Sequence, residues 1–191
     1  GRIVHSYDDD PLFEFIEGDA RDVELVTELA GDVDHFVAGA ARIGGISYFH
    51  EYAYDLLAEN ERITAAACDA AIKAHDGGRL QKVTYMSSSM VFESTSFWPS
   101  QEGDERIVPP PQSSYGFQKL AVEYFAKAAH DQYGLPYTIV RPFNCVGIGE
   151  ERALGDASRK RKRREVGLLK HICHSDGHSA RKGRVNAIVG L

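Results

Sequence analysis

Two short runs of β-branched and aromatic residues, with a helix-length segment between them, constrain this chain more than any other feature. Lys82–Met86 (KVTYM) ends in Ser87-Ser88-Ser89, and Tyr137–Val140 (YTIV) runs into Arg141-Pro142-Phe143-Asn144. Such runs read as buried strands. Further strands are expected at 13–18 and 34–39, and helices at 22–30, 50–75 and 113–133. Residues 102–114, with Pro109, Pro110 and Pro111, read as a loop leading into the last helix. Strands alternating with helices imply a parallel α/β sheet. Ligands of open parallel sheets sit beyond the carboxyl ends of the strands, which is where the Ser triplet falls.

The helix after that loop opens with Tyr115-Gly116-Phe117-Gln118-Lys119. Residues four apart lie on one helix face, one turn from each other. A phenol is a poor base at neutral pH, and a neighbouring ammonium favours its ionised form. A serine hydroxyl aimed at the same point can hold a substrate oxygen while the tyrosine moves its proton. This chemistry suits oxidation or reduction of a carbinol carbon with a nicotinamide as hydride carrier. Alone the Tyr-x3-Lys spacing is weak, because exposed helices often carry it; the strand and serines upstream give it weight.

Six landmarks occur in order: Gly18-Asp19-Ala20-Arg21-Asp22, Ala38-Gly39-Ala40-Ala41, Asn60, Ser87 to Phe92, Tyr115 to Lys119, and Arg141-Pro142-Phe143-Asn144. From Phe13 to Glu150 the chain resembles the extended short-chain dehydrogenase/reductases, in particular the nucleotide-sugar epimerases and dehydratases. That resemblance implies a Rossmann-type doubly wound parallel sheet. It also implies NAD, or NADP, as cofactor and a nucleotide sugar as substrate. Tyr115 resembles the catalytic acid/base, Lys119 the residue that tunes it and holds the nicotinamide ribose, and Ser88 the catalytic serine. Asp19 resembles the acid that touches the adenine amine, with Ala20 as the backbone donor beside it. Ala38, Gly39 and Ala40 match the strand end that passes under the cofactor, and Asn60 matches a helix asparagine near the active site. Pro142 and Phe143 match the segment that packs on the nicotinamide; Ser89 and Asn144, with Ser88, border the substrate pocket. Met90 stands where some epimerases carry a second acid/base cysteine, which disfavours a double epimerisation. Arg42-Ile43-Gly44-Gly45-Ile46 is similar to a turn of GDP-fucose synthases and related GDP-sugar epimerases. The resemblance further implies a homodimer built from the Tyr115 helix and the long helix after Tyr48, with Ala121, Phe125 and Ala128 as candidate contacts.

Two departures from that family pattern stand out. No strand, Gly-rich turn and helix precede Phe13, although this βαβ unit holds the cofactor pyrophosphate. In the strand order 3-2-1-4-5-6 the missing pair lies between the third and fourth strands. Phe13 to Ile16 is therefore expected to lack a sheet neighbour, and the chain to be a fragment that binds a dinucleotide poorly unless the region is supplied otherwise. The second departure begins at Glu151. Residues 1–150 read as a partial dinucleotide-binding domain and 151–191 as a basic tail without a recognisable substrate domain. The tail holds 11 of the 22 Lys and Arg but 4 of the 28 Asp and Glu, with six consecutive basic residues at 159–164.

Such a run can bind phosphate backbones, but a solvated charge run is the stronger reading, so no nucleic-acid partner is expected. His171, His174 and His178 have helical spacing without an acidic partner, and no metal site is expected. Cys68, Cys145 and Cys173 are scattered, which favours reduced thiols over a disulfide framework. At 43% hydrophobic and 26% charged, with no run of 18 apolar residues and no signal-peptide pattern, the 191-residue chain reads as a cytoplasmic globular protein without a membrane span.

Overall fold

A computed structural model describes residues 13–43, 51–143, 167–171 and 185–189. Strand β1 (Phe13–Glu17) leads to helix α1 (Val23–Gly31), then to β2 (His35–Ala38), helix α2 (Ala53–Asp76), β3 (Lys82–Met86), helix α3 (Ser114–Tyr133) and β4 (Tyr137–Val140). Strands β5 (Gly167–His171) and β6 (Val185–Val189) follow. The sheet order is β1-β5-β6-β2-β3-β4. Strands β2, β3 and β4 pair in parallel, Val83 opposite Tyr137 and Phe36 opposite Val83. The strands and helices read from periodicity all form, displaced by a few residues at most. Within the expected 102–114 loop, Asp104–Arg106 makes one short 3-10 turn.

The expectation that Phe13 to Ile16 lacks a neighbour is corrected. Strand β1 pairs antiparallel with β5, Phe13 opposite His171 and Ile16 opposite Leu168. In turn β5 pairs antiparallel with β6, and β6 pairs in parallel with β2, His35 opposite Val185. The two places between β1 and β2 are thus filled from the carboxyl-terminal part of the chain. An unpaired row of backbone donors and acceptors is costly, and these strands satisfy it.

Local chemistry explains where the helices start and stop. Asp22 caps α1, its carboxylate accepting from the Glu24 and Leu25 amides at 3.0 and 3.1 Å. Ser113 caps α3 through the Gly116 amide at 3.0 Å. Gly134, at φ +72°, ends α3 in the left-handed region that glycine adopts without penalty. Helices α2 and α3 leave by the same device. His75 Nδ1 donates to the Leu80 carbonyl at 2.8 Å, and His130 Nδ1 to the Leu135 carbonyl at 3.1 Å. Leu80 and Leu135 are fully buried at the entries to β3 and β4.

The core lies between the helix layer and the sheet. Helix α2 packs on both α1 and α3, and α3 on β3 and β4. The inward face of α2 is made of small residues, Ala66, Ala67, Ala70, Ala71 and Ala74, beside Ile63 and Cys68. Small side chains let the helix approach Phe36, Val83 and Tyr85 of the sheet closely. Burial pushes the Cys68 thiol up to about 11, and its sulfur contacts the Tyr85 hydroxyl at 3.3 Å, so it acts as a packing residue. Cys145 and Cys173 lie outside the described residues. Among the described residues no cluster of His, Cys, Asp and Glu could hold a metal, and no helix is long and apolar enough to cross a membrane.

Candidate active site

The carboxyl end of β3 and the first turns of α3 build the site. Beyond Met86 the chain makes a 3-10 turn, Ser89–Phe92, with Ser88 as its cap; the Ser88 Oγ accepts from the Met90 amide at 3.2 Å. Helix α3 is pressed against this segment. The Glu93 carboxylate accepts from both the Ser113 amide (3.0 Å) and the Ser113 hydroxyl (2.8 Å). A Cβ added at Gly116 would stand 2.9 Å from the Met90 carbonyl oxygen and 2.7 Å from Pro111 Cβ. The glycine beside Tyr115 therefore permits the helix to touch the serine turn.

Lys119 sits one turn on and is 7% exposed. Its ammonium donates to the Met86 carbonyl at 2.8 Å and lies 5.9 Å from the centre of the Tyr115 ring. Burial lowers its pKa to about 8, so it keeps most of its charge at neutral pH. Half-buried Tyr115 and buried Lys119 thus share one face of α3 as the spacing indicates.

A narrow crevice runs from Lys119 along the strand ends, lined by Ala20, Ala38, Ala40, Thr64, Met86 and Lys119 among others. The three alanines offer no side chain beyond Cβ, so only small groups border the backbone there. Gly39 lies between two of them, its amide bound to the Val37 carbonyl at 3.1 Å. Asn60 is 4% exposed and grips the Arg42 backbone in both directions, accepting from its amide at 2.7 Å and donating to its carbonyl at 3.0 Å. It thereby fixes the loop leaving β2 and borders a small cavity with Tyr115 and Gln118.

Other expected residues are placed less directly. The Asp19 carboxylate is held by Arg21, 2.6 Å from Nη2, and that hydrogen bond lowers its pKa. It is thus engaged by a neighbour, while Arg21 also reaches Glu59 at 2.6 Å. Ser89 donates its amide to the Pro142 carbonyl at 3.0 Å, which ties the serine turn to the exit of β4. Phe143 is 59% exposed. Asn144, Gly44, Gly45, Ile46 and the basic run at 159–164 lie outside the described residues.

Two buried groups escaped the sequence reading. Glu123, 6% exposed, accepts from Arg141 Nε and Nη2, both at 2.8 Å, and from the Ser87 hydroxyl at 2.5 Å. Its position four residues after Lys119 was the available signal. Gln118, 2% exposed, donates to Thr64 Oγ1 at 3.4 Å, while its Oε1 has no partner among the described groups. Ser87 is thus committed to Glu123, while Ser88 caps the turn and Ser89 is its first residue.

Parallel strands β2, β3 and β4 with helices packed against them place the chain in the class of Rossmann-type α/β folds. The family model described as the NAD dependent epimerase/dehydratase family matches residues 2–181, and the chain belongs to that family. It is 28% identical over 147 residues to a UDP-glucose 4-epimerase of Halalkalibacterium halodurans, covering 74% of this chain and 41% of the relative. It is also 30% identical over 115 residues to a probable GDP-L-fucose synthase of Drosophila melanogaster, covering 59% and 35%. Among solved structures, a dTDP-glucose 4,6-dehydratase (DesIV double mutant) of Streptomyces venezuelae with NAD bound superposes with a TM-score of 0.61 at 27% identity, covering 71% and 39%. The chain spans roughly two fifths of the length of the curated UDP-glucose 4-epimerase it matches.

Proposed function

We propose that this chain carries the nicotinamide and proton-transfer site of a nucleotide-sugar epimerase or dehydratase. One observation carries the reading: a buried ammonium, Lys119, stands at the face of Tyr115 and at the end of an alanine-lined crevice. The crevice suits NAD or NADP, with Ala20, Ala38, Gly39, Ala40, Lys119, Pro142 and Phe143 as the residues that would hold it. When bound, the dinucleotide supplies a hydride acceptor for a sugar carbon. Tyr115 takes the proton of the sugar hydroxyl, Lys119 holds its positive charge 5.9 Å from the centre of the tyrosine ring, and Ser88 holds the sugar oxygen. Asn60 keeps the loop after β2 in place. Asp19 reaches an adenine amine in this reading only by sharing its carboxylate with Arg21. Ser89 and Asn144 border the sugar.

The relatives include both UDP-glucose 4-epimerases and GDP-L-fucose synthases, so the similarity of the 42–46 turn to GDP-sugar enzymes is carried as a preference to test. Turnover of UDP-glucose, GDP-linked and dTDP-linked sugars in the presence of NAD, followed by product chromatography, decides among them. Tyr115→Phe is expected to remove about 10²- to 10⁴-fold of the rate, and a rate unchanged by this substitution overturns the assignment of Tyr115.

A second reading is favoured by β5. A dinucleotide binds at the carboxyl ends of parallel strands, yet β5 runs antiparallel to both neighbours and brings its amino end to that edge. On this reading the chain keeps the catalytic residues without holding the cofactor.

We further propose a homodimer through α2 and α3. Phe117, Ala121, Tyr124, Phe125 and Ala128 form a stripe on the outer side of α3, with Tyr124 68% and Phe125 37% exposed; Tyr54 on α2 is 77% exposed. Large aromatic side chains grouped on neighbouring helices mark association surfaces.

A further inference from the structure

We propose that Glu123 is a positioning residue for the Ser88–Tyr115–Lys119 site, its carboxylate locking the ends of β3 and β4 onto helix α3 through Ser87 and Arg141. The proposal rests on the reading of those three residues as the reactive set.

Three segments meet at this carboxylate. Glu123 rides on α3 one turn after Lys119. Ser87 belongs to the chain leaving β3, immediately before Ser88, and Arg141 to the chain leaving β4, immediately before Pro142. The two exits are also zipped to each other. The Ser87 amide donates to the Val140 carbonyl at 2.8 Å, and the Ser89 amide to the Pro142 carbonyl at 3.0 Å. Backbone bonds of this kind hold 87–89 against 140–142 but do not join the pair to the helix that carries Tyr115. Glu123 does. Both of its oxygens are bound by Arg141 at 2.8 Å, a bidentate fork, and Oε1 also takes the Ser87 hydroxyl at 2.5 Å.

The guanidinium is itself restrained. Its Nη1 lies 2.5 Å from Glu102, its Nη2 3.3 Å from Glu105, and its carbon 5.5 Å from the centre of the Phe92 ring. Glu123 and Arg141 side chains are 7% and 9% exposed. Phe92 closes the serine turn, so the two ends of the 87–92 segment hold the two members of the pair, Ser87 the carboxylate and Phe92 the cation. A buried charge pair held by several hydrogen bonds is rigid, because displacement of either partner leaves a buried polar group unpaired. Lys119 reports on this arrangement. Its ammonium binds the carbonyl of Met86, the residue before Ser87, and its low pKa depends on exclusion of water there. The groups facing it are the Tyr115 ring on its own helix and the Met86 carbonyl at the end of β3.

The test compares Glu123→Gln, Ser87→Ala and the double variant Glu123→Gln/Arg141→Met with the parent chain. Two quantities are read, the thermal midpoint and the titration of Lys119 by NMR of its Cε carbon, assigned with Lys119→Arg. Glu123→Gln removes the bidentate partner of Arg141 and leaves the cation to Glu102 and Glu105, so the midpoint falls. The double variant removes both charges of the buried pair and controls for the loss of charge pairing. A positioning role predicts that the Lys119 titration still moves upward, by about one pH unit, in the double variant and in Ser87→Ala, because the clamp of the strand exits on α3 is loosened and water reaches the ammonium. An unchanged Lys119 titration in both variants overturns the proposal and leaves the pair as a stability element alone. NADH binding by the parent chain is measured alongside. Its absence overturns the nicotinamide reading, while the Lys119 titration still decides whether Glu123 positions the site.

Discussion

Gly116 and Lys119 show how single residues set the site. At Gly116 the first added carbon meets a backbone oxygen at 2.9 Å and Pro111 at 2.7 Å. Neither neighbour is the far end of a flexible chain, so the helix or the serine turn must move. Gly116→Ala is therefore expected to cost about 1–3 kcal/mol in urea unfolding. Lys119 makes a different prediction. Its folded pKa, about 8, lies below that of an exposed lysine, and the cause is burial. Between these two values the unfolded chain still binds the proton that the folded chain has lost. Stability from this group therefore rises with pH above about 8 and is lost again as pH falls through that window, with a slope of at most about 1.4 kcal/mol per pH unit. Lys119→Met should abolish that rise in denaturation curves recorded from pH 8 to 10. The Tyr115–Lys119 pairing was legible in the sequence because helical spacing alone places the two on one face. Glu123 was not, because its role depends on Arg141, 18 residues away, and on Ser87, 36 residues away. Spacing says nothing of such partners.

Helices α2 and α3 behave as interchangeable parts, each ending in a histidine that donates to a carbonyl five residues on and then in a buried leucine that opens the next strand. His130→Ala is expected to lower stability by about 1 kcal/mol without altering cofactor affinity, since the bond lies at the end of α3 remote from Tyr115. Gly134→Ala, which forces a side chain into φ +72°, should cost about 1–2 kcal/mol. Thermal midpoints of these variants check both values. The elements themselves were readable from alternation and composition, since β2, β3 and β4 are short apolar runs and α3 begins after three prolines. What the pattern did not reveal was the fate of β1. Its pairing partner is contributed by residues 150 to 158 positions away, and no local periodicity encodes a contact of that range.

In the whole molecule, two strands from a basic tail stand in the places that the Rossmann order gives to strands one and two. One of them runs the expected way and the other is reversed. The outer side of the helix layer carries Tyr54, Phe117 and Tyr124, and the proposed dimer uses it. Sedimentation velocity should show a dimer for the parent chain and a monomer for Phe117→Asp/Tyr124→Glu; association unchanged in the double variant would place the interface elsewhere. The central claim is that the crevice beneath Ala38–Ala40 and Lys119 holds a nicotinamide dinucleotide. Calorimetric titration of the folded 191-residue chain with NADH tests it most directly. Binding in the micromolar range, about −8 kcal/mol, is expected, retained in Tyr115→Phe and weakened in Lys119→Met. Absence of binding by a chain shown to be folded by circular dichroism would contradict it and favour the reading in which the catalytic residues persist without their cofactor.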